Sequence, residues 1–403
     1  MAASDLAERP AHVPAEREVQ FDLYNPPEIE RGFQEAWRAL QQSDRSLVWT
    51  PYNGGHWIAT RAKEIGEVFA DYERFSTRVV VVPKEIGEIH QIIPNTLSPP
   101  FHRPFRNLLN NVLSPRAINP LEETVRQTAI ELIVQLKPRG ECEFLADFAE
   151  NLPIRIFMNM VDLPLEDVPK LKFWMDQLVK PNPVMPYEEV FPLFQSYFEP
   201  IVESRLGGSG TDAITDIVNR PVNGRPQTRM ETLNLLTVFL MGGLDTVYNF
   251  LAYAFLFLAR NPDHRRQLVD DPELISPAVN ELLRRFPLVN MAREVTGNME
   301  FDGVQLKKGD MIVAPSPLYG LDERVNADPL HVDFRRRGSE HATFGRGHHV
   351  CPGAHLGRME ARIAIAEWLK RIPDFSVKPG SEIKYQGGII GSLAAVPLVW
   401  EVN

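Results

Sequence analysis

Phe344-Gly-Arg-Gly-His-His-Val-Cys351-Pro-Gly353 sets a single cysteine in surroundings that suit a metal-binding thiolate. Glycines at 345, 347 and 353 let a short loop fold tightly and bring its backbone close to a flat ligand. Beyond the loop the chain has helical periodicity, with Leu356, Met359, Ile363 and Ala366 recurring at steps of three and four. A helix starting just after Cys351 directs N–H groups and positive partial charge at the sulfur, favouring thiolate over thiol. Phe344 is an apolar wedge for a macrocycle. A lone cysteine is more often a small buried hydrophobe. The whole string therefore carries the reading, and it suits a haem iron with cysteine as the proximal ligand.

The 403 residues exceed the usual size of one domain, yet no linker divides them. Gly207-Gly-Ser-Gly210 and Arg220-Pro-Val-Asn-Gly-Arg-Pro226 are short enough to be turns inside a single domain, and the 34 prolines are dispersed. A formal net charge of −10 argues against a nucleic-acid binder and fits a well-solvated protein. The two cysteines, Cys142 and Cys351, cannot build a disulfide framework and suit a reducing cytoplasm. The polar start, Met1 to Pro10, lacks the apolar core of a signal peptide. Leu233 to Ala259 is long enough to span a bilayer, but Asp245 lies near its middle with Gly242, Gly243, Thr246 and Asn249 close by. A helix buried through the centre of a soluble protein explains the same composition, so no membrane is expected.

Leu47-Val-Trp49 and Trp57-Ile-Ala-Thr60 flank the turn signal Asn53-Gly-Gly55 and predict a hairpin. Phe33 to Leu40 reads as helix, as do the long segments between residues 100 and 290, Ala129–Leu136 and Leu233–Ala259 most clearly. Strand-like runs return at Met311-Ile-Val313 and within Ile389 to Trp400. The expected fold is mainly α with small β regions.

Met241-Gly-Gly-Leu-Asp245-Thr246 is the second informative segment. Thr246 is spaced to bond back to the Gly242 carbonyl and bend the helix, and the paired glycines leave room for a diatomic molecule. Asp245 beside it is suited to relaying protons. Glu281-Leu-Leu-Arg284 places an ion pair on one helical face, and His102 and Arg106 share another.

The loop pattern Phe344, Gly347, Cys351, Gly353 resembles the haem-binding loop of the cytochrome P450 family. The resemblance implies a single-domain fold over residues 1–403 with haem b buried between helices and its iron on Cys351. Gly243, Asp245 and Thr246 match the family's oxygen-activating segment, Asp245 and Thr246 being its acid–alcohol pair. His102, Arg106, Arg293 and His349 match contacts to the haem propionates, which need cationic or hydrogen-bonding partners. Glu281 and Arg284 match a buried structural network with a third basic residue, placed at His331 by alignment, with Arg336 the alternative donor.

Within the family the chain is similar nearly end to end to the bacterial camphor-hydroxylating branch. His56-Trp-Ile-Ala-Thr-Arg61, Pro153-Ile-Arg-Ile-Phe-Met158, Gly243-Leu-Asp-Thr-Val247, Val304-Gln-Leu-Lys-Lys-Gly-Asp310 and Leu321-Asp-Glu-Arg324 carry that similarity. It implies a substrate pocket lined by Val81, His90, Val238, Met241, Val289, Ile389 and Ile390. His90 stands where that branch has a ketone-binding tyrosine, and Val81 replaces an aromatic residue. Met291 replaces an aspartate near a propionate, and Pro352 offers the sulfur no N–H. The expected substrate is therefore a small apolar terpenoid other than camphor.

The chain has no glycine-rich dinucleotide motif and no cysteine cluster for an iron–sulfur centre. The resemblance implies O2 as oxidant and electrons from an acidic [2Fe–2S] ferredoxin with a separate flavin reductase. A peroxide-using enzyme of the same fold and a non-catalytic haem sensor are the competing readings. Neither requires the Asp245–Thr246 pair.

Overall fold

A computed structural model describes residues 6–89, 91–179 and 183–402. The predicted hairpin forms from β1 (Leu47–Thr50) and β2 (His56–Ala59), paired antiparallel with Leu47 opposite Ala59. Asn53, Gly54 and Gly55 all take positive φ between them, which is why this turn needs asparagine and glycine. The sheet is completed by β3 (Phe75–Ser76), β4 (Asn290–Val295) and β5 (Met311–Pro315), in the order β1-β2-β5-β4-β3. Its β2–β5 pair is parallel, with Trp57 opposite Ile312. Every residue of β1, β2 and β5 is buried, so these strands read as continuous apolar runs rather than alternating ones.

Helices make up most of the rest. Those that build the site are α1 (His102–Val112), α2 (Glu122–Leu136), α3 (Asn151–Met160), α4 (Val168–Val179) and α5 (Tyr187–Arg205). They are followed by α6 (Arg229–Leu244), α7 (Thr246–Arg260), α8 (Ile275–Arg285) and α9 (Ala354–Arg371). The start of α6 is fixed by a capping box, in which the Thr228 hydroxyl accepts from Glu231 N–H and the Glu231 carboxylate from Thr228 N–H.

Together α6 and α7 form the stretch Arg229–Arg260, which by length and composition could cross a membrane. Its most apolar window is 72% buried inside the protein, against α3, α5 and α9, which explains why apolar residues occupy every face. Phe255 on α7 stacks on Phe144 at 4.2 Å and meets Trp368 of α9 edge-on at 5.4 Å, tying α7 to α9.

The helix-spaced residues after Cys351 lie in α9, with Leu356, Met359 and Ile363 buried. Strand-like sequence near the C-terminus becomes two short strands, Ser392–Leu393 and Pro397–Val399, the second joining Glu141–Glu143 and Ser376–Val377.

Candidate haem-binding and oxygen-handling site

The loop before α9 turns on Gly345 and Gly347, both near φ +70°. A Cβ on Gly347 would fall 2.8 Å from the Ala70 Cα, so backbone packing as well as φ requires glycine there. The Cys351 N–H donates to the Phe344 carbonyl at 2.7 Å, closing the loop and delivering the sulfur to the start of α9. Burial pushes the Cys351 thiol up, opposed by the Gly353 and Ala354 N–H groups aimed at it and by the charges of Arg106 and Arg358. The cysteine nevertheless keeps open surface, so it faces an internal cleft rather than bulk water. Arg358, one of the charges acting on the sulfur, lies over the Phe344 ring at 4.4 Å.

One side of the cleft gathers cationic and imidazole groups. His102 and His349 are in ring contact at 4.2 Å, and Arg293 and Arg106 are close enough to depress the basicity of His349. Loss of hydration is the largest influence on both histidines, lowering His102 to about 4 and His349 to about 3. Among the described residues their buried Nε2 atoms find no hydrogen-bond partner. Burial also lowers Arg293, to about 10; it donates to the Ala292 carbonyl at 2.8 Å, and among the described residues no carboxylate pairs with it. Unpartnered imidazole nitrogens beside an unpaired buried guanidinium are donors awaiting an anion. The two propionates of haem fit that need. Arg106 donates to the Val350 carbonyl and, at 2.8 Å, to Asn110, bracing α1 against the cysteine loop.

The other side is the break between α6 and α7. Asp245 leaves helical geometry at φ −126°, and Thr246 donates to the Gly242 carbonyl at 3.3 Å, the contact its spacing predicts. The Asn249 amide donates to the Asp245 carbonyl at 2.9 Å. Asp245 is buried, and its carboxylate accepts from the Tyr248 hydroxyl and from Asn249. The two glycines differ. A Cβ on Gly242 would meet nothing within 4 Å, whereas one on Gly243 would collide with the Phe157 ring of α3. Gly242 is thus the residue that leaves open space, and Gly243 lets α6 approach α3. Val247 lies against Gly357 of α9, which sets the break opposite the cysteine end of that helix.

Backbone pairing brings Val289 beside Ile390, and the Ile389 carbonyl accepts from Asn290 N–H at 2.9 Å. Val238 and Met241 share a face of α6 with Gly242, and the Val80 carbonyl ties the segment bearing Val81 to Ala292 of β4. All six apolar positions are buried or half-buried. His90 lies outside the described residues.

The network around Glu281 corrects one expectation. The third basic partner is Arg336, whose Nε donates to Glu281 at 3.0 Å, while His331 contributes only its backbone carbonyl, to Arg284 and Arg336. Tyr248 was not singled out by sequence reasoning, although its place three residues after Asp245 on a helix was the available signal.

Comparison with known proteins agrees with this arrangement. The family profile described as Cytochrome P450 matches residues 208–386. The probable cytochrome P450 127A1 of Sinorhizobium fredii is 31% identical over 400 residues, covering 97% of this chain and 96% of that protein. The crystal structure of CYP101J2 superposes with a TM-score of 0.91 at 44% identity, covering 98% of this chain and 100% of that one. That of CYP101C1 gives 0.90 at 39%, with the same coverage.

Proposed function

The chain belongs to the cytochrome P450 family, and from that premise we propose that it hydroxylates a small apolar terpenoid, a norisoprenoid or monoterpenoid, using O2 and ferredoxin-delivered electrons. Family membership makes it a haem-thiolate monooxygenase, the haem supplying oxygen activation when bound. The observation that carries the reading is the cleft itself: a cysteine under two amide N–H groups, beside the buried Arg293 guanidinium and the His102 and His349 imidazoles, across from a helix break bearing Asp245 and Thr246.

Cys351 holds the iron, and His102, Arg106, Arg293 and His349 hold the propionates. Thr246 and Asp245 position and deliver protons, and the apolar side chains of Val81, Val238, Met241, Val289, Ile389 and Ile390 exclude water and orient substrate. Thr246→Ala is expected to keep the substrate-induced spin shift while product formation falls about tenfold or more, the scale of a general acid–base contribution. The measurement is product formed per NADH consumed, and an unchanged ratio removes Thr246 from the chemistry.

A separate ferredoxin and flavin reductase, in the cytoplasm, complete the system. Arg103 carries exposed charge near the cysteine loop, and the half-exposed Arg346 donates to the Tyr319 hydroxyl at 2.6 Å and pairs with Glu340 at 3.5 Å. Arg103 is the better suited to an acidic donor, whereas Arg106 and Arg358 turn inward toward Cys351.

Val81 supports a roomier pocket than its aromatic counterpart in the camphor-hydroxylating branch, and an imidazole at position 90 has a shorter reach than the phenol it replaces. A mispaired ketone then loses about 0.5–1.5 kcal/mol, one ordinary hydrogen bond. Camphor is expected to bind roughly 2–10-fold more weakly than an ionone-type norisoprenoid, with a smaller high-spin shift. Spectral titration of the two compounds tests this, and tighter camphor binding with a near-complete spin shift ends the substrate assignment.

A further inference from the structure

Asp245 occupies the N-cap position of α7, yet its side chain accepts none of that helix's backbone N–H groups. Instead the Tyr248 hydroxyl and the Asn249 amide, the latter at 3.1 Å, converge on one carboxylate oxygen, Oδ1. Both donors come from the first turn of α7, so the carboxylate is folded over the helix break. Tyr248 is itself fixed. It is buried, and the Lys172 ammonium of α4 lies over its ring at 5.1 Å and pairs with Glu150 at 2.5 Å. Among the described residues, the charges of Glu150 and Asp176 also reach the tyrosine.

A carboxylate held by side chains has an orientation that side chains set. Thr246, next to Asp245, already spends its hydroxyl proton on Gly242 at 3.3 Å, so any proton passed between acid and alcohol starts from where Asp245 is held. We propose that Tyr248 is a positioning residue for Asp245: its hydroxyl pins the carboxylate at the α6–α7 break and so fixes the geometry from which protons are delivered. The inference rests on the acid–alcohol reading of Asp245 and Thr246.

Tyr248→Phe deletes one oxygen from a ring that Lys172 still covers. Turnover with substrate and redox partners is expected to fall about tenfold, the scale of a misplaced catalytic group. The solvent deuterium isotope effect on kcat should rise at least about twofold as proton delivery becomes more rate-limiting, with the substrate Kd unchanged within about twofold. Asp245→Asn, run in parallel, separates the two ideas. Unchanged turnover in Asp245→Asn sinks the acid–alcohol reading, whereas a loss there with wild-type turnover and isotope effect in Tyr248→Phe sinks the positioning role alone.

Urea unfolding supplies a readout independent of turnover. Tyr248→Phe should shift the unfolding equilibrium about tenfold with Asp245 present, since the buried Asp245 carboxyl group loses a donor, and less than about twofold in an Asp245→Ala background. Equal shifts in both backgrounds overturn the proposal.

Discussion

Cys351→Ser is expected to abolish the red-shifted thiolate band of the CO-bound ferrous protein and, with it, monooxygenation. The environment of the sulfur explains why no oxygen ligand substitutes. Two N–H groups, from Gly353 and Ala354, and the Arg106 and Arg358 charges favour an anion at this position against the opposing influence of burial. For a thiol, with an ordinary pKa near 8.5, a bound iron would supply the remaining stabilisation of the thiolate. A serine hydroxyl starts so much higher that the same donors leave it neutral and a poor ligand. The loop does not depend on the sulfur for its shape, because it is closed by the Cys351 N–H bond to Phe344 and by the glycine turns at 345 and 347. The variant should therefore fold, with unchanged far-ultraviolet circular dichroism, and lose only the thiolate spectrum and the chemistry. A Cys351→Ser protein that keeps the red-shifted band would show that another residue holds the iron.

The features legible in the sequence are those set by spacing along one element. The hairpin follows from two apolar runs around Asn53-Gly54-Gly55, and the Thr246–Gly242 bond from an interval of four on a helix. The cysteine loop follows from glycines at fixed offsets from Cys351. What escaped depends on the path of the chain between elements. Alignment position placed His331 in the Glu281 network, but the turn through Asp333 swings the longer side chain of Arg336 onto the carboxylate and leaves His331 only its carbonyl to offer. The different duties of Gly242 and Gly243 were equally hidden, since the Phe157 ring that claims Gly243 sits on another helix, far off in sequence. Arg106 is marked in the sequence only as a match to a propionate contact, and the turn of both Arg106 and Arg358 toward the sulfur depends on how α1 and α9 pack.

That same network holds the largest expected loss of stability. Glu281 and Arg284 are almost completely buried and joined by two bonds of 2.8 Å. The remaining Glu281 capacity is filled by Arg336, the Asp333 N–H at 3.1 Å and the Ser339 hydroxyl at 3.1 Å. Arg284 also donates to the Gly320 and Pro329 carbonyls, both at 2.8 Å, so it is locked in place from two sides. Glu281→Ala strands this guanidinium without a counter-charge, and an uncompensated buried charge of that kind costs about 3–5 kcal/mol. Arg336→Ala removes a partner whose side chain keeps 14% exposure, leaves the Glu281–Arg284 pair intact, and should cost clearly less. Burial alone would raise the Glu281 carboxyl, but Arg284, the Asp333 amide and Arg336 outweigh it and hold it below its ordinary value. A depressed folded-state pKa contributes stability above the unfolded value, near 4.3, that is lost as pH falls through the folded value. The gap between wild type and Glu281→Ala, read as urea midpoints, is thus widest near pH 7 and narrows under acid. A gap below about 1 kcal/mol at pH 7, or one that widens on acidification, would mean that this pair does not carry the junction of α8 with the 320–339 segment.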